Sequence, residues 1–274
     1  MTVKTLVENT SISEDLKPEH GLSLYIEAGG RRVLFDMGKS GLFIKNAEKM
    51  GVRLQDVDIA VISHGHYDHG GGLAGFLEVN KKAPVYIHEK AFETHMTYRK
   101  NGKAEDIGLN PELKGNPRMV FTGDGLKINE GLELFSKIDG ERLLSESNKA
   151  LLMKKGAGLV PDCFLHEQNL IITEGGKHLL VTGCSHRGIV NIIDRFIKIK
   201  GRAPDFVIGG FHLSNPATKT SEKPELIEEI GYALSRTDAV YYTCHCTGMD
   251  AFRRLKPIMN SNLRYLATGD VAEL

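Results

Sequence analysis

The stretch Ser63-His64-Gly65-His66-Tyr67-Asp68-His69-Gly70-Gly71-Gly72 puts His64, His66, Asp68 and His69 within six positions. It directly follows the apolar run Val57-Asp58-Ile59-Ala60-Val61-Ile62, which reads as a buried strand feeding a loop. In extended backbone His64 and His66 face the same way, and the turn that follows brings Asp68 and His69 round to a second direction. Two clusters of ligand atoms can then share one cavity. Imidazole and carboxylate suit zinc, iron or manganese at neutral pH, and an unfilled coordination position activates water. The glycines after His69 allow close backbone approach where a helix starts. The alternative is a polar surface loop rich in histidine; with 11 His in 274 residues, such a cluster right after an apolar strand is improbable as accident.

Other strands must carry the remaining ligands. His166-Glu167-Gln168 precedes the strand 169–173, and the strand 177–182 ends in Gly183-Cys184-Ser185-His186. Phe206-Val207-Ile208 delivers Gly209-Gly210-Phe211-His212-Leu213, and Ala239-Val240-Tyr241-Tyr242 ends in Thr243-Cys244-His245-Cys246. Three successive strands thus end in histidine, at 186, 212 and 245. Active sites in layered α/β proteins lie where strand ends converge, so the repetition favours one shared site. His166, His186, His212 and His245 are therefore candidate metal ligands. Cys184 is either a thiolate that suits zinc or a small buried apolar residue. Cys244 and Cys246 do not complete a structural zinc site by themselves.

Towards the N-terminus, strands are expected at Val3 to Glu8, Leu22 to Glu27 and Arg32 to Asp36, the last two joined through Ala28-Gly29-Gly30. Asp36 ends its strand where a carboxylate can accept the outer N–H of a ligand histidine, or else caps a helix starting near Gly41. His20 is a capping or packing residue, or one at the cavity rim. Helices are expected at 42–50, after 73, from 189, at 222–234 and at 251–259. Residues 118–136 read as a small antiparallel set of strands, and a strand at 264–267 closes the chain. Residues 89–117 and 139–162 read as irregular loops near the cavity mouth. Arg99, Lys100 and Lys103 there can receive a substrate anion, but a solvated charge run explains them better. Strand, helix, strand with short links is α/β organisation.

Lys plus Arg equals Asp plus Glu at 35 each, so no net field favours nucleic acid or an anionic membrane. No stretch of ~18 apolar residues occurs and no cleavable leader is visible, which points to the cytoplasm. Four cysteines are too few for a disulfide framework. The length suits one domain, 1–274.

His64-x-His66-x-Asp68-His69 resembles the signature of the metallo-β-lactamase fold superfamily. Glu8-Asn9, His20-Gly21-Leu22-Ser23, Leu34-Phe35-Asp36-Met37-Gly38, Thr182-Gly183-Cys184-Ser185-His186, Gly209-Gly210-Phe211-His212-Leu213 and His245-Cys246-Thr247-Gly248 are similar to its branch related to dihydropterin-ribofuranosyl-aminobenzene-phosphate synthase. The resemblance implies a four-layer αβ/βα sandwich with two mixed sheets, the metals at one edge, and His20 at the cavity rim. It also implies an aspartate bridging two metals after the second strand pair, a place that Cys184 holds here. The expected activity is metal-dependent hydrolysis of a small-molecule ester, phosphoester or lactone, with one or two divalent ions, zinc first and manganese or iron after it. His64, His66 and a later histidine would hold one ion; Asp68, His69 and another would hold a second, with Asp68 also orienting the nucleophile. Other readings are a pterin-related synthase step, a di-iron oxidoreductase and a non-catalytic metal-binding protein. The di-iron relatives usually carry Glu for the second His of the motif and an added flavin domain, neither of which is present.

Overall fold

The computed structural model describes residues 1–99, 102–215, 218 and 220–274. Two seven-stranded mixed sheets lie face to face. The first runs Val271–Glu273, Thr2–Val7, Ser23–Ala28, Arg31–Phe35, Ile59–Ile62, Val85–His88, Met119–Thr122. The second runs Leu263–Tyr265, Val240–Thr243, Phe206–Gly209, Lys177–Val181, Asn169–Glu174, Leu132–Phe135, Gly125–Asn129. Taken from opposite ends, the two sheets share one pattern of pairing, three antiparallel contacts followed by three parallel ones.

Side-chain alternation along the strands builds the layers. Val33, Phe35, Ile59 and Val61 face Leu170, Ile172, Leu179 and Val181 in a core between the sheets. Their neighbours Leu34, Ala60 and Ile62 point the other way, against Phe43 and Phe76 of the helices Leu42–Lys49 and Leu73–Val79. On the far side, Leu180 and Val207 pack under the helices Ile189–Lys200, Pro224–Leu234 and Met249–Met259. Helix, sheet, sheet, helix is the expected four-layer order. Each helix joins parallel strands, so every crossover returns to the same end of its sheet.

Three expectations are corrected. Residues 89–117 and 139–162 are not two separate loops. Their strands Gly158–Pro161, Leu151–Lys155, His95–Tyr98 and Ala104–Asp106 pair antiparallel into one inserted sheet. Residues 118–136 do not form one antiparallel set, because Met119–Thr122 pairs parallel with Val85–His88 in the first sheet while the following hairpin joins the second. Finally, the strand expected at 264–267 does not close the chain: Val271–Glu273 adds a further strand against Thr2–Val7. Arg99 forms a two-pronged ion pair with Glu105 at 2.6 and 2.9 Å, while Lys100 and Asn101 lie outside the described residues.

Candidate metal centre

The His-x-His-x-Asp-His loop leaves the end of Ile59–Ile62 and is fastened by Asp36 at the end of the neighbouring strand. Asp36 Oδ1 accepts the Ser63 N–H at 2.7 Å, and Oδ2 accepts the Ser63 hydroxyl at 2.7 Å and His69 Nδ1 at 2.6 Å. Since the Ser63 proton goes to Asp36, the Ser63 oxygen is left to accept His64 Nδ1–H at 2.8 Å. One buried carboxylate thereby orients two histidines through their Nδ1 atoms, leaving Nε2 of His64 as a lone pair. The helix at Leu42 starts after Gly41 with no side-chain cap, so Asp36 does not serve there. Behind the loop, Gly71 and Gly72 press on the Lys39 and Met37 carbonyls so closely that a Cβ would come within 2.2 Å of each.

Residues from the second sheet complete two groups of donors. In the first, His64, His66 and His186 each bring a ring nitrogen within 4.8 Å of the others. His186 Nδ1 donates to Asn148 Oδ1 at 3.1 Å, an orientation set by Asn148 Nδ2 donating to the His186 carbonyl at 2.8 Å. Nε2 of His64 and of His186 are buried with no partner among the described residues. Burial holds the pKa of His64, His66 and His186 well below that of free imidazole, so all three are neutral donors.

In the second group, His245 Nδ1 donates to Asn9 Oδ1 at 2.9 Å, and Asn9 is oriented by Gly21 N and the His245 carbonyl. His245 Nε2 is then a lone pair, and it faces His69 Nε2 at 3.2 Å. Asp68 Oδ2 lies 3.3 Å from the former and 3.8 Å from the latter. Burial opposes charge on Asp68, but His69, His20 and His245 outweigh it and hold its carboxyl well below the ordinary range. Burial lowers the pKa of His69, but Asp36 and Asp68 outweigh it and raise it, so a cation entering among these three ligand-type atoms takes the place of the His69 proton. Ligands on a tetrahedral ion with bonds of ~2.0–2.1 Å stand about 3.4 Å apart, so this spacing fits a divalent cation. Cys184 lies between the groups, its Sγ 3.1 Å from His69 Nε2 and within reach of His64, and of His186 with His212.

The remaining expected residues fall as follows. His20 sits one-third exposed at the rim, its Nε2 3.2 Å from Asp68 Oδ2. His212 is buried beside His186, ring centroids 4.2 Å apart, with neither nitrogen partnered among the described residues. His166 lies beside His66, ring centroids 5.4 Å apart, with its nitrogens engaged elsewhere. Its Nδ1 accepts the Gly65 N–H at 2.9 Å, so the proton sits on Nε2, which faces Asp162 Oδ2 at 3.3 Å. Both His166 nitrogens are thus engaged, one with Gly65 and one with Asp162. The cysteines of Cys244-His245-Cys246 part ways, Cys244 into the central core and Cys246 beside Cys184 and His245.

Several residues of the site receive no role from the sequence. Asn148, His95 and Asp162 arrive on or next to the inserted sheet. Glu167 accepts the His186 and Arg187 N–H groups at 2.6 and 2.9 Å, while Glu8 accepts His245 N–H and the Tyr265 hydroxyl at 2.6 and 2.7 Å. A buried carboxylate thus underpins the backbone of His186 and of His245. Asp36, Ser185, His212 and His245 all have positive φ, between 50° and 59°, strain of the kind held at functional sites. A cavity of about 270 Å³ opens over the donors, floored by His66, Asp68, Cys184 and His186 and walled by Tyr67, Tyr98, Ile107 and Leu151.

A sandwich of two repeated mixed sheets with histidines and aspartate at one edge defines a metal-dependent hydrolase fold. The chain belongs to the metallo-β-lactamase superfamily, whose family model matches residues 16–237. It is 29% identical over 269 residues to 7,8-dihydropterin-6-methyl-4-(β-D-ribofuranosyl)-aminobenzene-5′-phosphate synthase of Methanocaldococcus jannaschii, covering 92% of this chain and 89% of that protein. An uncharacterized protein of the same organism is 28% identical over 273 residues, 94% of this chain and 95% of that one. Among solved structures, Tm1679, a metal-dependent hydrolase of the β-lactamase superfamily, superposes with a TM-score of 0.82 at 28% identity, covering 100% of this chain and 99% of that one. No described helix is long and apolar enough to cross a membrane.

Proposed function

We propose that the protein is a hydrolase using two divalent ions, zinc before manganese or iron, to cleave an ester, phosphoester or related small molecule. The observation that carries this reading is the meeting of His69 Nε2, His245 Nε2 and Asp68 Oδ2 at ligand spacing, beside the separate group of His64, His66 and His186. The first three would hold one ion, the other three a second, with Cys184 between them. Bound there, the ions supply positive charge that lowers the pKa of water towards neutrality and polarises the bond to be cut. Asp68 faces the cavity as a carboxylate and orients the nucleophile; His20, touching Asp68 at the rim, steadies that carboxylate. Tyr67, Tyr98, Ile107 and Leu151 form a wall that sheds water around an apolar portion of the substrate. The cavity suits a small molecule, and we place the protein in the cytoplasm.

A second reading, a pterin-related synthase step, rests on the 29% identity to the methanogen enzyme over nearly both full lengths. Zinc-loaded protein should hydrolyse members of a panel of phosphodiesters, phosphomonoesters, lactones and activated esters, and His64→Ala should abolish that turnover. Turnover that survives His64→Ala, or a metal-loaded protein inert on the whole panel, would overturn the hydrolytic reading.

A further inference from the structure

Four of the imidazoles in the two donor groups have the nitrogen that points away from the cluster tied to an acceptor. His64 is held by Ser63 at 2.8 Å, His69 by Asp36 at 2.6 Å, His186 by Asn148 at 3.1 Å and His245 by Asn9 at 2.9 Å. Such partners set ring orientation and raise ligand basicity. His66 is the exception. Its Nε2 is sealed from solvent and has no partner among the described residues. Beside it lies a second orphan, Nε2 of His95, a fully buried residue at the start of the inserted sheet.

Proton bookkeeping connects the two. His95 Nδ1 lies 2.9 Å from Asp162 Oδ2, so it carries the proton and leaves Nε2 as a lone pair. The same carboxylate oxygen faces His166 Nε2–H at 3.3 Å, and Oδ1 accepts the Phe164 N–H at 2.7 Å. His166 Nδ1 in turn accepts from Gly65, inside the His-x-His turn. Every donor and acceptor from Gly65 through His166 and Asp162 to His95 is matched, and two orphans remain, His95 Nε2 and His66 Nε2, neither hydrogen-bonded in this structure. The two rings are edge to face with centroids 5.7 Å apart, and a nitrogen or oxygen of His66, His95, Asp162 and His166 all lie within 4.8 Å of one another.

We propose that His66 presents Nδ1 to the first donor group and gives its Nε2–H to His95 Nε2, making His95 and Asp162 positioning residues for that group. The inference rests on the metal reading of the site. It gives the inserted sheet a second task besides walling the cavity, since His95 lies on one of its strands and Asp162 directly follows another. Gly65 is seated directly on this support. A Cβ there would come within 2.3 Å of the Ala91 carbonyl and 2.8 Å of His95 Nε2. The same four residues are unsuited to a third ion of their own, because His166 would have to give up either its proton or the Gly65 bond.

The test titrates cobalt(II) into metal-free wild type, His95→Phe and His95→Gln against a competing chelator, following the visible ligand-field band. In His95→Phe one of two cobalt ions should bind roughly 10–100-fold more weakly, with an altered band, while the other is unchanged. Glutamine, which keeps an acceptor, should restore most of the affinity and the band. Nitrogen-15 spectra of the zinc-loaded wild type supply a measurement that needs no variant: His66 should show metal on Nδ1 and a slowly exchanging proton on Nε2. The opposite tautomer, wild-type binding in His95→Phe, equal losses in Phe and Gln, or three ions per wild-type chain would each overturn the proposal. Wild type that binds two ions regardless of His95 sinks this inference alone, whereas wild type that binds none sinks the functional reading with it.

Discussion

Replacing Asp36 by alanine is expected to weaken both donor groups at once. Its carboxylate receives the Ser63 N–H, the Ser63 hydroxyl and His69 Nδ1, and through Ser63 it sets His64. His64 serves the first group and His69 the second, so a single truncation frees one ring in each. Loss of such support typically costs 10–100-fold in metal affinity, and here the loss should fall on both ions. The metal-free protein should also lose about 3–5 kcal/mol, because three donors buried around the carboxylate are left without an acceptor. Alanine also fits poorly at φ 58°, whereas asparagine tolerates it and retains one oxygen, so Asp36→Asn should fall between. Chelator competition and denaturant unfolding read the two effects separately. Loss of one ion with full retention of the other would show that Asp36 supports only one ring.

Asp68→Asn should slow turnover on the order of a thousandfold in kcat. Asparagine preserves volume and one oxygen, but it removes the charge that His20, His69 and His245 surround. The fold should be unaffected, since Asp68 lies at the cavity floor and faces no apolar core. Steady-state rates on the best substrate from the hydrolysis panel measure this. A loss of less than tenfold would remove Asp68 from the chemistry and leave it a spectator of the rim.

Much of this centre is legible in the sequence because its parts obey local rules. An apolar strand running into His64-x-His66-x-Asp68-His69 needs only the two-residue period of extended backbone to place its ligands. Histidines recurring after the strands that end near 182, 208 and 242 announce a shared edge. What the sequence hides is long-range. His95 and Asp162 are 67 residues apart and meet only because His95–Tyr98 pairs with Leu151–Lys155. Those strands are short and partly exposed, and Ala104–Asp106 is exposed throughout, so no apolar alternation marks them as sheet. Met119–Thr122 looks like the first strand of a meander, but its partner is the parallel strand Val85–His88, a choice that local pattern cannot reveal. His166 shows a further limit. Spacing brings it to the loop, but the Gly65 N–H decides which way its lone pair points.

The account turns on two groups of donors made for two ions, and metal content per chain tests that most directly. Protein purified without chelator and then equilibrated with zinc should carry about two ions per chain. His186→Ala should carry about one, because it removes a donor from the first group and leaves Asp68, His69 and His245 intact. Less than half an ion per wild-type chain, or two ions retained in both His186→Ala and His245→Ala, would contradict the assignment of these residues and the hydrolytic reading built on them.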